Sequence, residues 1–285
     1  QGLALQTFLK KNGYDVEMIR YAFPPFQFTA KSVICPRRLT SVRQCLGALV
    51  DVIRAFFIIG YLADRIDGLR KTVRLFATYI TPSPQEYGSL AELNAARRYD
   101  TVLIGSDQVW APHYQDADFS YLLRGLDGPV RNVSYAASVA APSVHPYEQI
   151  YGEALARFDA VSIREKTAVA ELEKLSGQKV EWVVDPTLLL SAEEWRELLN
   201  LQPRAQEHHI TVYWLSPLED KLTELVRLAK AKRMKVHIFT TMQGFRVGSN
   251  LLQWVKHLAA RARLTCSPWL ELHIGADARE WLQDL

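Results

Sequence analysis

Asp100-Thr101-Val102-Leu103-Ile104-Gly105-Ser106-Asp107-Gln108-Val109-Trp110 is an apolar run that breaks into a compact polar turn and ends on a large aromatic. Residues 100–104 have the length and apolar content of a buried strand. A turn needs only a Gly or an Asp. Here four small or polar groups stand in a row, Gly105-Ser106-Asp107-Gln108, and Trp110 follows. A strand that delivers polar groups at its carboxyl end is the ligand-binding unit of parallel α/β sheets.

The same unit recurs on both sides. Upstream, a short helix is expected over 90–97. Downstream, a strand over 130–135 leads to a loop rich in Ala, Ser and Pro, then a helix over 147–158. A strand over 160–163 runs into a helix over 164–175, closed by Ser176-Gly177. A strand over 180–184 is broken by Asp185-Pro186. At the start, a helix over 3–11 stops at Asn12-Gly13 and a strand follows over 16–21. A parallel α/β domain normally opens on a strand, so the first strand of the βαβ unit is expected to lie before Gln1. Residues 31–77 read as helical and basic, with Arg37, Arg38, Arg43, Arg54 and Arg65 among apolar residues. The plain reading is a set of solvated helix faces; the sharper one is a surface that rests on anionic lipid. Thr81-Pro82-Ser83-Pro84 reads as a loop.

A helix over 192–199 precedes Gln202-Pro203-Arg204, which reads as a linker, and the βα pattern then restarts. Strands are expected over 210–215, 236–240 and 269–274, and helices over 218–232, 249–261 and 277–285. Strand–helix alternation indicates parallel sheets, and the restart indicates two such domains. The expected division is residues 1–200, then a partial second domain over 201–285.

Composition sets bounds. The chain has 285 residues, 23% charged, with a net charge of +3 and a pI near 8.7. That excess suits an anionic substrate and is too small to argue for nucleic acid. Cys35, Cys45 and Cys266 form no CxxC pair, which fits a reducing cytoplasm better than a disulfide framework. The seven histidines include no HExxH. His208 and His209 would face opposite sides of a strand, so no metal is expected there. No signal peptide is evident at Gln1. The most apolar window, 46–62, is interrupted by Asp51 and Arg54 and is a poor membrane span.

Three polar clusters fall at expected strand ends: Gly105-Ser106-Asp107-Gln108, Ala136-Ala137-Ser138, and Arg164-Glu165-Lys166. Arg164 at a helix start would sit in a positive field suited to an anion. Each residue also has a plain structural reading. Ser106 and Asp107 would cap a following helix. Arg164 would pair with a surface acid. Trp110 would be core. Asp185 would form a turn.

Taken in order, Gly105-Ser106-Asp107-Gln108-Val109-Trp110, Ser134-Tyr135-Ala136-Ala137-Ser138, Ser162-Ile163-Arg164-Glu165-Lys166 and Asp185-Pro186-Thr187-Leu188-Leu189 resemble the polysaccharide pyruvyl transferase family. Gly2-Leu3-Ala4-Leu5-Gln6 resembles that family's opening NYGAxLQ loop and helix. The resemblance is clearest from Leu75 to Trp195 and weaker from Gln202 onward. It implies two Rossmann-like domains in a GT-B-like arrangement. It also implies transfer of a pyruvyl group from phosphoenolpyruvate to a sugar, giving a cyclic ketal. The acceptor would be a cell-surface polysaccharide or its lipid-linked precursor, and the basic segment over 31–77 would supply any peripheral contact with the inner membrane face. No cofactor or metal is implied. The family's SFHG-like stretch, whose His is associated with donor binding and catalysis, has no counterpart here, and a chain cut short at both ends is expected.

Under that resemblance Arg164 would hold the donor's phosphate or carboxylate, and Asp107 would orient or deprotonate an acceptor hydroxyl. Gly105 and Ser106 would let the ligand approach the backbone. Gly2, Gln6, Gln108 and Ser138 complete the expected substrate-binding set. None of His113, His145, His237, His257 or His273 sits in a matching motif. Two other readings stay open: a nucleotide-sugar glycosyltransferase, which the same domains would serve, and an inactive family member that binds carbohydrate.

Overall fold

The computed structural model describes residues 1–21, 67–114, 119–202, 208–214, 221–240 and 266–285. The expected helix over 249–261 and most of the basic segment lie outside these residues. The chain divides into two compact units. One comprises Gln1–Gln27 and Tyr79–Glu194; the other comprises Phe28–Thr78 and Trp195–Leu285.

The first unit opens with α1 (Gly2–Lys11) and β1 (Met18–Tyr21). After α2 (67–79), all but its last residue in the second unit, the first unit continues with β2 (Pro82–Tyr87) and α3 (Leu90–Ala96). β3 (Thr101–Ile104), β4 (Arg131–Ser134), α4 (Glu148–Leu155), β5 (Val161–Ile163), α5 (Val169–Ser176) and β6 (Val180–Trp182) follow. All strand pairs are parallel: β1 with β2, β3 with β4, and β5 with β6. Bridges Val133–Ala160 and Ala137–Ile163 join β4 to β5. The strands β3, β4, β5 and β6 therefore lie side by side in chain order, and their carboxyl ends share one edge.

Two serines stitch the central seam. Ser134 Oγ donates to the Ser162 carbonyl at 3.0 Å and accepts from the Ser162 amide at 2.9 Å. Ser162 Oγ donates to the Ser134 carbonyl at 2.8 Å and accepts from the Ala136 amide. Both hydroxyls are buried, so these bonds replace water that the strands exclude. Beneath them Trp110, Tyr151, Leu155, Ile163 and Leu172 form the fully buried centre of the core. α4 and α5 pack so closely that a Cβ on Gly152 would lie 2.6 Å from the Leu175 carbonyl oxygen.

The second unit carries β7 (His209–Trp214), α7 (Leu222–Lys232), β8 (Lys235–Thr240), β9 (Leu270–Ile274) and α8 (Ala278–Asp284). Its strands form one parallel sheet in the order β7-β8-β9. Period-two alternation sorts its two faces. Ile210, Val212, Val236, Ile238 and Leu270 pack with Leu222 and Ala229 of α7. The odd-numbered positions put His209, Thr211, His237, Glu271 and His273 on the opposite face, where Asp284 of α8 reaches His209, Thr211 and His237. α6 (Ala192–Leu199) precedes this unit's sheet.

Three sequence expectations are corrected. Residues 82–84 belong to a strand, not a loop. β2 pairs with β1 alone among the described residues, and an edge tolerates prolines that lack an N–H. No helix follows Ser106; residues 107–110 are turn, and Pro112–Tyr114 is a single 3₁₀ turn. The helix expected from 164 begins later, with a 3₁₀ turn at Lys166–Ala168 and α5 proper at Val169. No helix among the described residues is long and apolar enough to cross a membrane.

Candidate functional site

Because β3 to β6 are parallel neighbours, the four segments leaving their carboxyl ends meet. Arg164 is where they meet. Its Nη1 donates to Asp185 Oδ2 at 2.8 Å and its Nη2 to Ser138 Oγ at 3.1 Å. Asp107 Oδ1 lies 3.7 Å from Nη2, and Glu165 Oε1 lies 3.5 Å from Nε. Each partner comes from a different strand end: Asp107 from β3, Ser138 from β4, Asp185 from β6.

The ring has a supporting layer. Glu165 accepts from Ser138 Oγ and from the Val139 amide. Asp185 caps the Pro186–Leu189 turn, accepting from the Thr187 amide at 3.0 Å and the Thr187 hydroxyl at 2.8 Å. The Trp182 indole N–H donates to the Arg164 carbonyl. Burial tends to raise the Asp185 pKa, but the Thr187 amide, the Arg164 guanidinium and the Thr187 hydroxyl outweigh it and hold the carboxyl below its usual range. Burial likewise tends to lower the Arg164 pKa, and its carboxylate neighbours reverse that, so Arg164 stays charged. Burial, with the negative Asp185 nearby, pushes the Tyr135 phenol up and keeps it protonated.

The β3 turn is shaped by contact. A Cβ on Gly105 would sit 2.0 Å from the Tyr135 carbonyl oxygen, so only glycine fits against β4. Ser106 is buried, and its hydroxyl has no hydrogen-bond partner. Asp107 projects outward with 71% of its side chain exposed. Gln108 is exposed and left-handed at φ 56°. Trp110 is core, as its plain reading had it. Its indole N–H donates to the Tyr121 carbonyl at 2.9 Å, and its own carbonyl accepts from Tyr151 Oη.

The expected residues thus separate. Gly105, Ser106, Asp107, Ser138 and Arg164 come together. Gln6 is spent on the backbone: its amide donates to the Tyr79 carbonyl at 3.0 Å and accepts from the Thr81 amide at 2.9 Å. Gly2 lies against β1, where an added Cβ would stand 2.7 Å from Met18 Cε. α1 itself packs on the Pro186–Leu189 turn, and Gln1 Nε2 donates to Asp185 Oδ2 at 2.7 Å.

The reason first given for an anion at Arg164 does not hold. The Arg164 amide is committed to the Ala137 carbonyl at 3.0 Å, and no helix starts there. The arginine instead sits among three carboxylates. Asp185 and Glu165 were the residues that motif position alone did not select. Their signal was an acid within three residues of the ends of β5 and β6, one beside Arg164 in the chain and one at the neighbouring strand end.

The family model for polysaccharide pyruvyl transferase matches residues 1–248. The chain belongs to the polysaccharide pyruvyl transferase family. No curated protein and no solved structure matches it significantly. All four segments that meet around Arg164 lie within the matched residues.

Proposed function

We propose that this pyruvyl transferase moves the pyruvyl group of phosphoenolpyruvate onto two hydroxyls of a sugar, in a cell-surface polysaccharide or its lipid-linked precursor. The observation that carries the reading is the convergence of four strand-end loops on Arg164, in a chain of this family. Each unit would be Rossmann-like, of the kind found in GT-B enzymes, a reading supported by parallel strands in both.

The reagents set the requirements. The donor's methylene must be protonated, which generates cationic character at the carbon bearing oxygen. An acceptor hydroxyl then attacks that carbon and gives up its proton. Phosphate leaves, and a second hydroxyl closes the ketal. Asp107 is the base in this scheme, being an exposed carboxylate at the mouth of the turn. Arg164 meets the donor through Nη2, while Asp185 fixes Nη1 and hence the plane of the guanidinium. Ser138 holds Nη2 in place, and the Ser106 hydroxyl is available to a ligand oxygen. Three carboxylates surround this one guanidinium, so most of the donor's negative charge must be met by cations outside the ring.

That charge balance yields a test. Asp107→Asn removes a base and also one negative charge 3.7 Å from Arg164. Turnover should fall about 10²–10⁴-fold, while phosphoenolpyruvate binds at least as tightly as before. Steady-state kinetics and a direct binding titration read the two effects separately. Retained turnover would remove Asp107 from the mechanism.

A further inference from the structure

We propose that the second unit holds a divalent transition-metal ion, zinc by its donor set, on His237 Nε2, His273 Nε2 and the Glu271 carboxylate. The donors come from neighbouring strands. His237 on β8 is in register with Glu271 on β9, and His273 lies two residues on, on the same face. His237 Nε2 is 3.5 Å from Glu271 Oε2, and His273 Nε2 is 3.2 Å from Glu271 Oε1. Donor atoms on a tetrahedral zinc with bonds of about 2.0–2.1 Å stand roughly 3.3 Å apart. All three donor groups lie within 4.8 Å of one another.

An independent observation points the same way. His237 is only 5% exposed, and its Nε2 has no hydrogen-bond partner. A buried ring nitrogen in that condition costs stability unless something occupies it. Its other nitrogen, Nδ1, pairs with Asp284 Oδ1 at 2.8 Å. A carboxylate on Nδ1 places the proton there and leaves the Nε2 lone pair directed at Glu271 and His273. That is the carboxylate–histidine–metal arrangement, in which an outer acid orients the ligand. Asp284 is itself fixed by Thr211 Oγ1 at 2.8 Å. The His273 ring is held by stacking on Phe239 at 4.4 Å. The His237 and His273 planes are inclined by 52°, which lets two in-plane lone pairs converge. Glu271 is half exposed and gives an ion its way in.

The neighbouring trio of His209, His237 and Asp284 is the weaker host. Its two rings are stacked at 4.0 Å and nearly parallel, so their lone pairs do not meet, and its contacts to Asp284 are of hydrogen-bond length. No sequence motif announces the favoured site, because its ligands are an isolated His on one strand and an E-x-H on the next.

The test is calorimetric titration of zinc chloride into the metal-stripped chain, beside Glu271→Gln, His273→Ala, Asp284→Asn and a surface control, His145→Ala. One zinc per chain is expected. Affinity should drop at least about ten-fold in Glu271→Gln and in His273→Ala, about 10–100-fold in Asp284→Asn, and not at all in the control. Cobalt should give the visible absorption of a tetrahedral ion in the parent and lose it in Glu271→Gln. Glu271 is exposed, so its variant keeps the fold even where a buried substitution does not. Absence of stoichiometric zinc binding, or binding unchanged in both Glu271→Gln and His273→Ala, overturns the proposal.

Discussion

At Arg164 one guanidinium faces Asp107, Glu165 and Asp185 from three strand ends, and a single hydroxyl, Ser138, shares its Nη2. Such a residue does two things. It ties together side chains that leave separate strand ends, and it presents a fixed cation to whatever enters beside Asp107. The joining role has a pH signature. The Asp185 carboxyl titrates below its ordinary value of about 3.9, because Thr187 and Arg164 favour its charged form over the opposing effect of burial. A depressed carboxylate contributes stability that is full above the unfolded value and is lost as pH falls through the folded one. Calorimetric melting from neutral pH down past about pH 4 should therefore show a steeper loss in the parent than in Asp185→Asn. Parallel curves would mean that the Arg164 pair does not hold the loops. Gly105 works at the same scale: only the absence of a Cβ lets the β3 turn lie against the Tyr135 carbonyl.

At the scale of elements, the strands β3, β4, β5 and β6 were legible because each is a short apolar run ending on polar residues, the mark of strands covered on both faces. Helix α5 was legible from its period and from Gly177, which closes it in the left-handed conformation at φ 69°. What misled was the junction between elements. Arg164-Glu165-Lys166 has helical propensity, but the Arg164 amide continues the β4–β5 pairing, and that tertiary bond delays the helix. Prolines made 82–84 look like a loop, since propensity does not show that an edge needs fewer donors. The Ser134–Ser162 lock was likewise invisible, because two serines 28 residues apart carry no local signal. Its removal is measurable. Ser162→Ala strips two hydrogen bonds and leaves the Ala136 amide without that acceptor. The cost should be about 1–3 kcal/mol, read from denaturant midpoints at unchanged slope. A loss below a few tenths would show that the β4–β5 seam closes without the hydroxyls.

Over the whole molecule, chemistry-bearing residues gather in two places. One lies past the strand ends of the first unit and contains the stretches that carry the family resemblance; the other lies on the α8 face of the second unit's sheet. The first was readable because parallel topology sends every carboxyl end to one edge, so motifs scattered over 105–189 had to meet. The second was hidden by the same geometry: register between strands, which sequence spacing does not contain, decides that His237 faces Glu271. Gln6 shows the limit of motif transfer, since its amide is engaged with the backbone at Tyr79 and Thr81. The central claim is that Arg164 and the loops around it receive the donor. The direct measurement is calorimetric titration of phosphoenolpyruvate into the chain, with Arg164→Ala and Arg164→Lys beside it. Saturable binding is predicted for the parent, lost in Arg164→Ala and weakened in Arg164→Lys, where one ammonium replaces a planar fork that holds Asp185 on one nitrogen and the donor on the other. Equal affinity in all three would contradict the account.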